Sequence, residues 1–234
     1  TLSSSSAASD VYKRQSPGSV AEAFWRLAKP INGESQLWGA AVWSVTRIVS
    51  AVALMAIIGV PAGILLGASP TLNQIFAPLI DPLKSAPIVA FLPLFVMWFG
   101  IEEKMKIFFL FFGGVVYLIP MVRDAIQSVR KDFYIQAHDI GFTPFETVRH
   151  VLIPLAMPRI LEALTVAFGI CWTYIVVAEY VNAREGLGHL IQISRRLSAT
   201  DQVFALIIVI LALAWVTDSS LRGLKRLLYP WSTE

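Results

Sequence analysis

The sequence has few charged side chains for its length. Charged residues make up 15% of the 234 residues and hydrophobic residues 56%, whereas soluble domains carry about 25% charged residues. The longest stretches without charge are Ile48–Ile80, Ser85–Ile101, Ile107–Val122, Ala163–Ala178 and Gln202–Thr217. Several are shorter than the ~20 residues that cross a bilayer core, but flanking charged side chains can reach the interface. A soluble protein would need more polar surface, so the sequence predicts an all-α integral membrane protein.

Cysteine is almost absent, because the chain has only Cys171. A disulfide within the chain is therefore excluded, and a thiolate metal site would need further ligands. Three histidines, His138, His150 and His189, have no His or Cys partner four residues away, so no metal site is predicted. We expect Cys171, which lies in an apolar run, to pack in the core.

Motifs for catalysis and nucleotide binding are missing as well. The sequence has no G-x-x-x-x-G-K-[ST] loop, so the chain is not expected to hydrolyse a nucleotide itself. An intramembrane enzyme would require a nucleophile–base pair or a metal site in the spans, and none stands out. No basic face interleaved with aromatic residues is present, which argues against a nucleic-acid partner. The sequence predicts neither catalytic residues nor a cofactor.

The apolar runs and their flanks predict a membrane domain over residues 47–230. Its five predicted spans are Arg47–Leu66, Ser85–Phe99, Ile107–Val122, Leu161–Tyr180 and Val203–Thr217. In the first span Gly59, Gly63 and Gly67 recur every four residues, a spacing that favours close packing against another helix. Pro87 and Pro93 are expected to break the second span. A broken helix can mark a translocation path, with Pro93 as a candidate, or it can be a kinked packing helix.

The segments before residue 47 have a different composition. Residues 1–15, TLSSSSAASDVYKRQ, lack the apolar region of a signal peptide and resemble a translated adapter sequence, so we expect them to be a non-native scar. Residues 16–46 are predicted to be a juxtamembrane segment. In it Ser19 could cap a short helix, and Trp25, Trp38 and Trp43 suit the membrane interface.

The longest polar segment lies between the third and fourth spans. Gly141 is placed to end a first short helix in a left-handed C-cap. The run Thr143-Pro144-Phe145-Glu146 is typical of a capping box that starts a second helix. Pro154 and Pro158 are expected to interrupt or kink the chain that follows. This second helix would be short and amphipathic, and it could lie on its own bundle or present a docking surface.

Basic residues indicate the orientation of the chain. Those in and around the polar segment are Arg123, Arg130, Lys131, Arg149 and Arg159. Their number predicts that this segment faces the cytoplasm. Glu179 would then end the fourth span at the opposite side of the membrane. It could be a gate or path residue, or an ordinary carboxylate at the outer interface.

The polar segment resembles the EAA loop of binding-protein-dependent ABC importer permeases. The matching residues are Ala137, Gly141, Arg149, Val151, Leu152, Ile153, Pro154, Ala156 and Pro158. The first Glu of that motif falls on Ile135 and the first Ala on Gln136. Three further segments, DPLKSAPIVAFLPLFVMWFGI, VVAEYVNAREGLGHLI and RGLKRLLYPW, look like the nitrate/sulfonate/taurine/bicarbonate branch of the family.

This resemblance implies a MetI-like core of five transmembrane helices, with a sixth, N-terminal helix expected to be missing here. It implies a multi-pass permease in the bacterial inner membrane that translocates a small solute such as a sulfonate, taurine, nitrate or bicarbonate. The partners implied are a second copy, two ABC ATPase subunits and an external solute-binding protein. Residues 131–160 would form the coupling loop, with the ATPase-coupling residues Ala137, Gly141, Thr143, Phe145, Glu146, Arg149 and Pro154. The alternative is a stand-alone channel or secondary transporter, which would favour ionisable residues deep in the spans.

Overall fold

The computed structural model describes residues 16–31, 34–181 and 183–232. The helices are α1 (Pro17–Ala28), α2 (Gln36–Ala68), α3 (Pro70–Ile80), α4 (Leu92–Phe99), α5 (Glu103–Gln127), α6 (Lys131–Asp139), α7 (Pro144–Thr147), α8 (Ile153–Tyr180), α9 (Leu187–Arg196) and α10 (Thr200–Leu228). Short 3₁₀ turns occur at Asp81–Ser85, Ile88–Phe91 and Pro230–Ser232, and a π-turn at Val148–Leu152. Between α1 and α2, β1 (Pro30–Ile31) pairs antiparallel with β2 (Glu34–Ser35).

Within the described residues, four continuous helices are long and apolar enough to cross a membrane. They are Gln36–Ala68, Glu103–Gln127, Pro144–Tyr180 and Thr200–Leu228. A fifth span is formed if the pair Pro70–Ser85 and Ile88–Phe99, which bends by 99°, is counted as one. The chain is extended at Ala86, as expected for a residue before proline. The predicted span Ser85–Phe99 is thus the second limb of a broken pair.

α1 begins earlier than predicted, and the first span is longer than predicted. Ser16 caps α1 by accepting the Ser19 N–H at 3.2 Å, so the prediction of Ser19 as the cap was wrong. Pro17 lies in the first turn, where its fixed φ suits a helix start. α2 begins at Gln36 and passes residue 46 without a break, so the first span extends beyond Arg47–Leu66. The division of the chain at residue 46 stays a prediction.

The glycine stripe of α2 packs closely against α5. A Cβ at Gly63 would lie 2.6 Å from Val122 Cβ and 2.9 Å from the Ile119 carbonyl oxygen. A Cβ at Gly67 would lie 2.9 Å from the Arg123 carbonyl oxygen. Backbone on the facing helix leaves no room for a side chain, so the predicted packing role of the stripe is confirmed.

The bundle is centred on α8, which packs against α5, α10, α2 and α9. Cys171 is fully buried on α8, which confirms its predicted place in the core. Trp172 Nε1 donates to Thr217 Oγ1 at 3.0 Å and fixes the register of α8 against α10. We call the end of the bundle that carries residues 128–152 the inner end, following the orientation predicted from the basic residues, and the opposite end the outer end.

Candidate functional site

At the inner end, α6 is closed by a hydrogen-bonded C-cap. Phe142 N–H donates to the Ala137 carbonyl and Gly141 N–H to the His138 carbonyl, each at 3.0 Å. This pair of bonds is the Schellman motif, which needs a left-handed residue at its second-last position. Gly141 has a φ of 89°. The predicted role of Gly141 in ending a helix is therefore confirmed.

The capping box that starts α7 is also present. Thr143 Oγ1 accepts the Glu146 N–H at 3.3 Å, and Glu146 Oε2 accepts the Thr143 N–H at 2.8 Å. Pro144 occupies the first turn, where it lacks only an N–H that would have no helical partner. Both bonds close between residues three positions apart, so the turn from α6 into α7 keeps a defined shape.

The helix continues from α7 into α8 through the π-turn at Val148–Leu152. Pro154 lies in the first turn of α8 and Pro158 lies inside it, yet α8 is unbroken from Ile153 to Tyr180. The expected interruption of the helix at the two prolines was therefore wrong, whereas a kink there stays a prediction. Pro154 cannot donate a backbone hydrogen bond, and the π-turn lies where that bond is missing. A movement of α7 can therefore pass directly to the spanning helix.

The predicted coupling residues lie mainly on the surface of this segment. Ala137 is the buried residue of α6. The other six, Gly141, Thr143, Phe145, Glu146, Arg149 and Pro154, are exposed. Large apolar side chains are exposed beside them, with 71% of Phe145, 72% of Ile140 and 56% of Ile135 accessible. Such a patch on a polar loop is typical of an interaction surface.

At the outer end, Glu179 is the centre of a buried ion cluster. Its Oε1 accepts from Ser44 Oγ and from Arg47 Nη1, both at 2.7 Å, and its Oε2 accepts the Gly188 N–H at 2.7 Å. Arg47 also donates to Glu103 Oε1 at 2.9 Å. Glu179 is 0% exposed and Arg47 is 2% exposed. The cluster thereby joins α2, α5, α8 and the start of α9.

The loop before α9 is shaped around the same carboxylate. Gly186 has a φ of 129°, and a Cβ there would lie 2.5 Å from the Glu179 carboxylate. Leu187 N–H donates to Ser44 Oγ at 2.9 Å. No local pattern pointed to Ser44 and Arg47 as site residues, since their partners lie far along the chain. This geometry favours a structural role for Glu179, and its place on a translocation path stays a prediction.

Pro93, the other predicted path residue, lies in the first turn of α4 and is exposed. Its neighbour Phe95 is buried and packs edge-on against Phe109 of α5, with ring centroids 5.8 Å apart. The proline therefore lies at the start of α4, inside the second limb of the broken pair, on the side away from α5. A role for Pro93 in translocation also stays a prediction.

Comparison with known proteins defines the class. The family described as "Binding-protein-dependent transport system inner membrane component" matches residues 59–230. The taurine transport system permease protein TauC of Escherichia coli (strain K12) is 34% identical over 93% of this chain and 80% of its own length. The putative aliphatic sulfonates transport permease protein SsuC of Bacillus subtilis (strain 168) is 32% identical over 84% and 71%. A chain of the inward-facing MetNI methionine ABC transporter has the same fold, with a TM-score of 0.72 at 22% identity over 82% of this chain and 95% of its own.

The chain belongs to the binding-protein-dependent transport system inner membrane component family. It is a permease subunit of an ABC importer, with the MetI-like fold, and a transport component rather than an enzyme. The family and the fold predicted from the sequence are confirmed. Membership implies ATPase and binding-protein partners. The alternative of a stand-alone channel or secondary transporter is not favoured, because the relatives are permeases of ABC systems.

Proposed function

We propose that this chain carries a small sulfonate across the bacterial inner membrane as one half of a homodimeric pore. The observation that carries the coupling proposal is the exposed Phe145 on the rigidly capped α7. The named solutes of the relatives, taurine and aliphatic sulfonates, supply the substrate class. In this proposal α7 seats in an ATPase subunit, and Glu146 and Arg149 lie at the edge of that contact.

The inner segment suits the transmission of force. Its two caps fix the angle between α6 and α7, because each end of the turn is hydrogen-bonded within the segment. α6 follows α5 after a short connection, and α7 continues into α8. A partner that pushes on Phe145 would therefore move two spanning helices together. Alternating access then follows from rigid displacement of α5 and α8 rather than from deformation of the loop.

A second copy is proposed because one face of α8 is exposed and carries polar and ionisable residues beside the exposed Leu155 and Val166. This strip contains Arg159, Glu162, Gly169 and Thr173 at helical spacing. Ionisable residues in a spanning helix face protein or a water-filled cavity, since lipid gives them no hydrogen-bond partners. A second copy would cover the strip and leave water between the two α8 helices.

The test is co-purification with the ATPase encoded beside this gene. Phe145→Asp should abolish the complex, because it places a charge in an apolar contact. Leu197→Asp is the matched control, since Leu197 is 70% exposed but lies after α9 at the outer end. The control should retain the ATPase, and both variants should fold, because neither side chain is in the core.

Uptake completes the test. Vesicles that contain the permease and the ATPase, supplied with the neighbouring binding protein, should accumulate radiolabelled taurine or ethanesulfonate only with ATP. The Phe145→Asp vesicles should not. Retention of the ATPase by Phe145→Asp together with normal uptake would contradict the coupling proposal, and uptake without any ATPase would revive the channel alternative.

A further inference from the structure

An open groove of ≈ 650 Å³ lies at the outer end, but a larger one of ≈ 1160 Å³ lies toward the inner end between α8 and α10. Met121 of α5 forms part of this second groove. Its ionisable residues are Glu162 on α8 and Asp218, Arg222, Lys225 and Arg226 on α10. The register set by Trp172 and Thr217 places these cations between the middle of α8 and its inner end.

The groove has an excess of positive charge. Lys225 Nζ lies 2.6 Å from Glu162 Oε1, and Arg222 Nε lies 2.8 Å from Asp218 Oδ2. These two pairs account for both carboxylates of the groove. Arg226 therefore supplies the net charge of the groove. An anion entering it would meet three cations, two of which already have their charge balanced.

The wall formed by α8 carries hydroxyl groups between apolar side chains, since Val166 and Ile170 line the groove as well. Thr165 and Thr173 line the groove on either side of Gly169. Thr165 Oγ1 donates to the Leu161 carbonyl at 2.9 Å, and Thr173 Oγ1 to the Gly169 carbonyl at 3.3 Å. Rotation about χ1 would turn either hydroxyl toward a solute. No atom lies within 4 Å of a Cβ built at Gly169, so the wall is open there.

Membrane topology alone accounts for only part of this arrangement. Basic residues collect at cytoplasmic ends of spanning helices, which explains the number of cations on α10. It does not explain why they surround a groove whose facing wall carries threonines inside a spanning helix. The wall also carries the ionisable Glu162, and an ionisable residue in a spanning helix faces protein or a water-filled cavity rather than lipid.

We propose that this groove is a transit site for a monovalent sulfonate-type oxyanion, held by Arg222 and Arg226 and passed along Thr173 and Thr165. The proposal rests on the proposed function and assigns its substrate class to particular residues of the pore. A guanidinium can donate two parallel hydrogen bonds to such an oxyanion. The neighbouring carboxylates Glu162 and Asp218 compete for the same cations, which keeps the hold weak enough for release.

The test uses the reactivity of an introduced thiol in membrane vesicles of the full chain. Cys171→Ala removes the native thiol, and Gly169→Cys places a new one where a Cβ has open space. The probes are anionic 2-sulfonatoethyl methanethiosulfonate and cationic 2-(trimethylammonio)ethyl methanethiosulfonate. The rate at which each reagent modifies the introduced thiol is divided by its rate with free 2-mercaptoethanol, which corrects for intrinsic reactivity. Thr173→Cys is a second probe position, and Ile57→Cys, on an exposed apolar part of α2, is the lipid-facing control.

We expect Gly169→Cys to react, and the anionic reagent to be favoured over the cationic one. Adding Arg226→Gln should lower the ratio of the anionic reagent's rate to the cationic reagent's rate about fourfold. A unit charge roughly 10 Å away in water changes the local concentration of each monovalent reagent about twofold, and the two changes have opposite directions. Arg222→Gln should act in the same direction. Arg130→Gln, an exposed cation outside the groove, should leave the ratio unchanged, and Ile57→Cys should not react.

Two results would overturn the groove assignment. One is the absence of reaction with both reagents at both probe positions, which would mean that lipid or protein fills this face. The other is a ratio that does not change when Arg222 and Arg226 are neutralised. The labelling needs neither ATP nor a partner subunit, so a charge-dependent ratio combined with failed ATP-driven uptake would count against the proposed function alone.

Discussion

At the inner end of the bundle, hydrogen bonds of the polar segment join residues no more than five positions apart, as between Phe142 and Ala137. At the outer end, the bonds from α2 to Glu179 and Leu187 join residues between 132 and 143 positions apart. The inner segment thus has a fixed local shape but few ties to the bundle. The outer cluster holds four elements together. From this contrast we expect the inner segment to move as a unit relative to the bundle and the outer end to resist movement.

The largest expected effect is loss of the outer ion pair. Arg47→Leu leaves the Glu179 carboxylate buried without its cation, which should lower the free energy of unfolding by about 3–5 kcal/mol. Arg130→Leu is the matched change at the inner end, where the partner Asp132 and Arg130 itself are exposed. Its effect should stay below about 1 kcal/mol. Chemical unfolding in detergent measures both, and equal effects would contradict the comparison.

The next largest difference in stability between the two ends is expected from substitution of two glycines with positive φ. Gly186→Ala adds backbone strain at a φ of 129° and a Cβ that collides with the Glu179 carboxylate, for a loss of about 2–5 kcal/mol. Gly141→Ala adds strain at a φ of 89° but meets no atom within 4 Å, so the loss should be about 1–2 kcal/mol. Thermal unfolding midpoints rank the two variants. The reverse order would show that the outer loop can move away from Glu179.

Removal of the capping box should have a smaller and local effect. Thr143→Ala loses the bond to the Glu146 N–H, which should reduce the stability of α7 by about 1 kcal/mol. Because Thr143 is exposed, global unfolding should change little. Amide exchange at Glu146 and Thr147 should accelerate, while Thr143→Ser restores the wild-type rate. Unchanged exchange in Thr143→Ala would mean that the cap does not hold α7.

The smallest expected effect is a pH dependence at the outer end. Burial lowers the pKa of His189, and the nearby cations Arg196, Arg47 and Lys106 lower it further. The His189 imidazole therefore binds a proton more readily in the unfolded chain than in the folded one. The contribution of neutral His189 to stability is complete above about pH 6.5 and declines as pH falls toward the folded-state pKa. His189→Gln should flatten that part of the stability curve, measured by unfolding in detergent between pH 5 and pH 8. Identical slopes in the two proteins would contradict this assignment.

Local features of the inner segment could be predicted because their signals lie close together in the sequence. Gly141 and the Thr143–Glu146 box each specify a structure with residues a few positions away. The start of α1 at Ser16 rather than Ser19 was missed because Pro17 outweighed the second serine. The continuity of α8 through Pro158 was missed for a different reason, since a membrane helix tolerates proline when neighbouring groups satisfy the freed carbonyl.

The outer cluster could not be predicted, because it depends on how α2, α5 and α8 pack. Arg47 was interpreted only as the start of a span, and Glu179 was left as either a path residue or an interface carboxylate. The 99° bend between the two limbs of the second span could not be predicted either. Prolines predicted a break there, but its direction depends on how the limbs pack against the bundle, where Phe95 contacts Phe109 of α5.

Hydrogen exchange with and without the ATPase most directly tests whether the inner end receives the partner while the outer end stays fixed. The permease in detergent would be exchanged alone and with the ATPase encoded beside it. We predict slower exchange in residues 131–152 when the ATPase is present, with no change in residues 179–190. Unchanged exchange in residues 131–152, with protection elsewhere on the chain, would contradict the account.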